Sequence, residues 1–136
     1  MKPAVRRRIY QREAALMLLL ARIAVRLLPP ARLFAWADRA PRQVRRFAVD
    51  ETGWVAWAVG NIAARTWMGA LCLPQALAVH AMLRRRGVES RLCLGVARDG
   101  AVLAAHAWVE VGGDKVIGER EAGGFTRIAE FGGRAP

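Results

Sequence analysis

The chain has 136 residues, 22 Lys and Arg against 11 Asp and Glu for a net charge of +11, 54% hydrophobic residues and two cysteines. A length below about 150 residues gives a single domain, too small for a barrel enzyme or a full nucleotide-binding domain, and so apolar a chain must bury surface rather than stay disordered. Cys72 and Cys93 alone exclude a disulfide scaffold and a four-cysteine zinc site and read as reduced thiols, and no cofactor or metal motif accompanies them.

The charge is uneven. Residues 1–65 hold 13 basic and 4 acidic side chains, net +9, whereas residues 66–136 hold 9 and 7, net +2. The first half therefore reads as a basic helical region and the second as the part that carries chemistry. Arginine supplies 20 of the 22 basic residues, a side chain that pairs bidentately with carboxylates and phosphates and lies well against apolar surfaces. On charge alone a nucleic acid, an anionic membrane surface or an acidic protein partner all fit, so a non-catalytic basic binding module is the alternative to an enzyme.

In chain order, Lys2, Arg6, Arg7, Arg8 and Arg12 precede an apolar stretch from Ala14 to Leu28, and Ala35-Trp36-Ala37 loosely matches a signal cleavage site. Arg22 and Arg26 interrupt that stretch, which falls short of the roughly 20 residues a spanning helix needs, so the reading is a cytoplasmic chain without a signal or transmembrane segment. At 100° per residue Arg8, Arg12, Arg22 and Arg26 fall within an arc of about 80°. This predicts a core helix with one arginine stripe as its solvated edge, and peripheral membrane contact or a partner helix as the sharper alternative. Pro29-Pro30 ends the helix, Ala31 to Ala37 forms a short second one, and Arg42 to Arg65 forms a third, broken near Asp50, where Asp50 or Thr52 can cap its second part. Trp54, Trp57 and Trp67 are spaced for core packing rather than for stacking on bases.

From Ala70 an apolar-periodic helix runs to Arg84-Arg85-Arg86-Gly87, basic in its last turn with glycine just beyond. Proline is tolerated only in a helix's first turn, so Pro74 puts Cys72 at or next to the N-terminus. Free backbone N–H groups and the positive dipole end there favour thiolate and supply donors for an oxyanion. His80, about two turns further on, is too far along to serve this thiol and reads as a packing or surface histidine.

After Gly87 the period changes to that of strands. Val88 to Arg98, Ala101 to Val111 and Asp114 to Glu119, joined at Asp99-Gly100 and Gly112-Gly113, predict a three-stranded antiparallel meander. With two-residue turns the register puts His106 opposite Cys93 on one side and Glu119 on the other. Glu110 shares the His106 face but lies further along the strand, and Asp114 pairs with Val111 and points away. Cys72 as nucleophile, His106 as general base and acid, and Glu119 as the carboxylate that orients it form the set a thiol acyl-transfer enzyme needs. Cys93 is the rival nucleophile; flanked by Leu92, Leu94 and Val96 it reads as a buried strand residue without a helix terminus to ionise it.

Cys72-Leu73 with Ala76-Leu77-Ala78, then Leu83-Arg84-Arg85-Arg86-Gly87-Val88, Leu94-Gly95-Val96 and His106-Ala107-Trp108-Val109-Glu110, resembles the lasso-peptide biosynthesis B protein, the transglutaminase-like cysteine protease found in many pathways as a stand-alone leader peptidase. The resemblance covers residues 60–120. It implies an α+β fold of the papain or transglutaminase type, in which a helix bearing the nucleophile packs on a small antiparallel sheet. It also implies removal of the leader from a ribosomally made precursor, with two partners: a separate leader-binding recognition-element protein and an ATP-dependent cyclase. The family's Cys-His-Asp triad carries over at Cys72 and His106, while Gly118-Glu119 stands where the acid is expected, so glutamate replaces aspartate. Trp108 and Glu110 read as support for the strand. The Cys72 backbone N–H is one oxyanion donor; Asn61, Thr66, Gln75 and Trp67 are nearby candidates for a second.

Overall fold

The structure, a computed structural model, describes residues 2–39, 49–65, 72–118 and 124–132. Its elements in chain order are α1 (Pro3–Leu27), α2 (Pro30–Ala37), α3 (Val49–Arg65), α4 (Cys72–Arg85), β1 (Arg91–Asp99), β2 (Val102–Val111), β3 (Asp114–Ile117) and β4 (Thr126–Gly132). The fold is α+β, a helical layer packed on one four-stranded antiparallel sheet.

Proline sets the helix boundaries. Pro3 and Pro30 occupy first helical positions, where the missing N–H costs nothing, and Leu28 is extended because it precedes a proline. The short second helix begins at Pro30, one residue ahead of the reading. The expected third helix is described from Val49, and the expected portion from Arg42 to Ala48 lies outside the described residues. Asp50 and Thr52 both lie within α3, whose described residues begin at Val49. The end of α4 follows expectation: Gly87 at φ +75 turns the chain back, and the N–H groups of Gly87 and Val88 close on the Arg84 and Leu83 carbonyls, each at 3.0 Å.

The core lies between the helices and one face of the sheet. Tyr10, Ala14 and Leu18 of α1, Val55 and Val59 of α3, and Val79, Met82 and Leu83 of α4 meet Leu92 of β1 and Ala107 and Val109 of β2. Trp54 stacks on Tyr10 at 5.8 Å and meets Trp57 edge-on at 5.6 Å, a packing role as expected; Trp67 lies outside the described residues. His80 is buried in packing, its Nε2–H donating to the Ala37 carbonyl at 2.7 Å while Ser90 Oγ–H donates to Nδ1 at 2.7 Å.

The sheet departs from the reading in three places. Its strand order is β3-β2-β1-β4, so a fourth strand extends the predicted meander beyond β1. The first turn is Gly100-Ala101, because Asp99 pairs with Val102. An Asp-Gly turn of the mirrored type needs positive φ at both positions; here Gly100 alone has it, at +64, so glycine takes the first central position and the register moves by two. His106 therefore pairs with Gly95, and Cys93 with Trp108. The second turn keeps its expected register through Val111↔Asp114 and Glu110↔Lys115, then slips at a bulge to Val109↔Ile117, where β3 stops. Glu119 lies outside the described residues, and so does its expected cross-strand pair with His106.

Candidate active site

Cys72 is the first residue of α4, half-buried, with its side chain against the core on the helical face of the sheet. Pro74 is buried in the first turn, as its chemistry requires. Of the candidate oxyanion groups, Asn61 is tied to α1 by a hydrogen bond from Gln11 Nε2 at 3.1 Å, Gln75 is half-buried in the first turn of α4, and Thr66 and Trp67 lie outside the described residues.

His106 sits in β2 with its side chain on the opposite face. Strand alternation puts Ala107 and Val109 toward the helices and His106, Trp108 and Glu110 away from them. The imidazole is buried against Trp108, ring centroids 6.1 Å apart, and Phe125, at 5.2 Å. Its Nε2 lies 3.2 Å from the Gly118 carbonyl oxygen. A carbonyl only accepts, so Nε2 carries the proton and the neutral ring keeps its lone pair on Nδ1. The tautomer is thus set by backbone, one residue before Glu119.

The floor beneath this ring is a network that the sequence reading treated only as strand support. Trp108 Nε1–H donates to Glu110 Oε2 at 2.9 Å, Arg127 of β4 pairs with the same carboxylate oxygen, and Arg127 also reaches Glu130 at 3.0 Å. Glu110 is buried, and its two donors account for that. Gly95 makes room for the indole: a Cβ there would lie 2.8 Å from Trp108 ring carbons. The partners Arg127 and Phe125 come from the fourth strand and its approach, which the three-strand reading could not supply.

Cys93 shares this face and packs against Trp108 in full burial. Burial, then the Glu110 charge, pushes its thiol up to about 11, which leaves almost no nucleophilic thiolate near neutral pH. Among the described residues no hydrogen bond joins Cys72 to His106 and no cluster of three or more His, Cys, Asp or Glu is placed to hold a metal ion. Among the described residues, β3 pairs with β2 as far as Val109↔Ile117, three residues along β2 from His106.

A protein-family model, that of the transglutaminase-like superfamily, matches residues 15–130. No curated protein and no solved structure matches the chain.

Proposed function

The chain belongs to the transglutaminase-like superfamily, a group of cysteine proteases and acyltransferases, and from that premise we propose that it is a cysteine peptidase that removes the leader from a ribosomally synthesised lasso-peptide precursor. The observation that carries the reading is the His106 ring, proton held on Nε2 by the Gly118 carbonyl and Nδ1 left as a base, in a superfamily member whose more accessible thiol starts a helix. The reading requires the Cys72 thiol and the His106 ring, which the fold holds on opposite faces of the sheet, to approach each other when substrate binds.

In this reading Cys72 Sγ attacks the carbonyl at the leader junction as His106 takes the thiol proton. The Cys72 backbone N–H holds the oxyanion. The C–N bond breaks, His106 delivers the proton to the leaving amine of the core peptide, and the leader stays on sulfur as a thioester. Water, losing a proton to His106, releases the leader carboxylate and the thiol is restored. Glu119 is proposed to orient the ring from beside Gly118. The partners are the precursor, a separate leader-binding recognition-element protein and the ATP-dependent cyclase that receives the freed amine; the compartment is the cytoplasm.

Incubating precursor and recognition protein with wild type and Cys72→Ala, followed by mass spectrometry, tests this. Wild type should release leader and core and Cys72→Ala neither; equal release by both would eliminate the mechanism. Glu119→Gln should slow release strongly, and an unchanged rate would assign the orienting role to another group.

A further inference from the structure

Among the described residues, nothing packs over the outer face of α1. Tyr10, Ala14, Leu18 and Ala21 turn inward, and this narrow stripe is the part of the helix that enters the core. Val5, Ile9, Leu16, Leu20, Ile23 and Leu27 are 44% to 76% exposed. At 100° per residue these six fall within an arc of about 60°, centred about 150° from the buried stripe and running about 33 Å along the axis. Arg8, Arg12 and Arg26 are exposed and lie along one border of that arc. The helix is therefore apolar on two sides, and the arginines edge the outer one instead of standing opposite a single apolar face.

Charge decides what fits this surface. Glu13 is the only acidic residue in α1, and it is turned into ion pairs with Arg85 and Arg86 of α4 with 12% of its side chain exposed. Nothing on the outer face can pair with the arginines of a second copy, so self-association there would bring like charges together. A straight apolar stripe bordered by arginine matches a plane that offers hydrocarbon and negative charge side by side. No helix among the described residues is long and apolar enough to cross a membrane, so the match is to a surface.

We propose that α1 docks the protein on an anionic lipid surface, with Leu16, Leu20, Ile23 and Leu27 in the acyl boundary and Arg8, Arg12 and Arg26 at the headgroups. The docking stands apart from the peptidase reading, because its residues are on the helix face turned away from the core.

Co-flotation of the full chain with vesicles of phosphatidylcholine and phosphatidylglycerol, against phosphatidylcholine alone, tests it. The protein should float with the anionic vesicles only, and less at raised salt. Leu16→Glu/Leu20→Glu should abolish flotation. Arg8→Gln/Arg12→Gln/Arg26→Gln should weaken it about a hundredfold, a factor of about five per arginine. Both variants should keep the wild-type thermal transition and leader removal in solution. Failure of wild type to float, equal flotation with neutral vesicles, or flotation that survives Leu16→Glu/Leu20→Glu would overturn the proposal. So would a dimer in sedimentation that the leucine variant dissociates while vesicles bind nothing, which would give the stripe to a second copy.

Discussion

Gly118→Ala combines a left-handed backbone with close contacts at the His106 ring. Gly118 has φ +75, and a Cβ there would lie 3.0 Å from His106 Nε2 and 3.1 Å from both the Ala107 carbonyl oxygen and Trp108 Cβ. The left-handed conformation costs an L-residue about 1–2 kcal/mol. Crowding a packed position adds about 1–3 kcal/mol, because two of the three neighbours are backbone or a Cβ and cannot swing aside. The sum, about 2–5 kcal/mol, lowers the melting temperature by roughly 6–20 °C in a chain of this size. Gly113→Ala is the control: Gly113 has φ +88 with nothing within 4 Å of a built Cβ, so it carries the conformational cost without the contact. Circular-dichroism melts of the two variants isolate the contact part, and leader-removal rates read its effect on chemistry. A ring displaced from the Gly118 carbonyl should lose about a hundredfold in rate at Gly118→Ala, while Gly113→Ala keeps the wild-type rate. Equal melting shifts for the two variants, or an undiminished rate at Gly118→Ala, would refute the reasoning.

Three further outcomes follow from buried groups. Burial lowers the His80 pKa, the Ala37 hydrogen bond opposes this and Arg84 adds to it, so below the ordinary value of 6.5 the unfolded chain binds the proton first. Stability should be full above pH 6.5 and fall as pH drops toward the depressed folded value, and melting temperatures of His80→Gln should show less of this fall; an identical pH profile in the variant would count against it. With the Cys93 thiol pushed up to about 11, a thiol reagent should label Cys72 in the native protein and Cys93 only on unfolding, and Cys93→Ala should retain turnover. Glu110→Gln removes the charge that faces Arg127 and should cost about 1–3 kcal/mol by urea midpoint, the lower figures reflecting an arginine side chain 38% exposed.

Local rules made much of this fold readable. Pro29-Pro30, Pro74 and Gly87 mark helix boundaries through sterics confined to a few residues, and the period change after Gly87 separates helices from strands. Register was less accessible. Which of two central turn positions a glycine takes depends on the pairing of both strands, and that choice moved His106 from opposite Cys93 to opposite Gly95. The bulge at Val109/Glu110 and the β1–β4 pairing are likewise non-local, so the carbonyl that holds His106 and the arginine that holds Glu110 were not visible in the spacing. Burial of Cys93, by contrast, followed from its Leu92 and Leu94 neighbours alone. On α1 the arginine stripe was legible, but which apolar side enters the core depends on where α3 and α4 pack.

The account centres on Cys72 and His106 acting as one nucleophilic pair at the leader junction. A chloromethyl ketone built on the leader sequence and ending at the junction, added with the recognition protein, measures that pairing, since peptide mapping identifies the alkylated residue and the rate reports the base. The account predicts alkylation at Cys72, slowed about 10²–10⁴-fold in His106→Ala. Alkylation at Cys93, or at Cys72 with the same rate in His106→Ala, would contradict it.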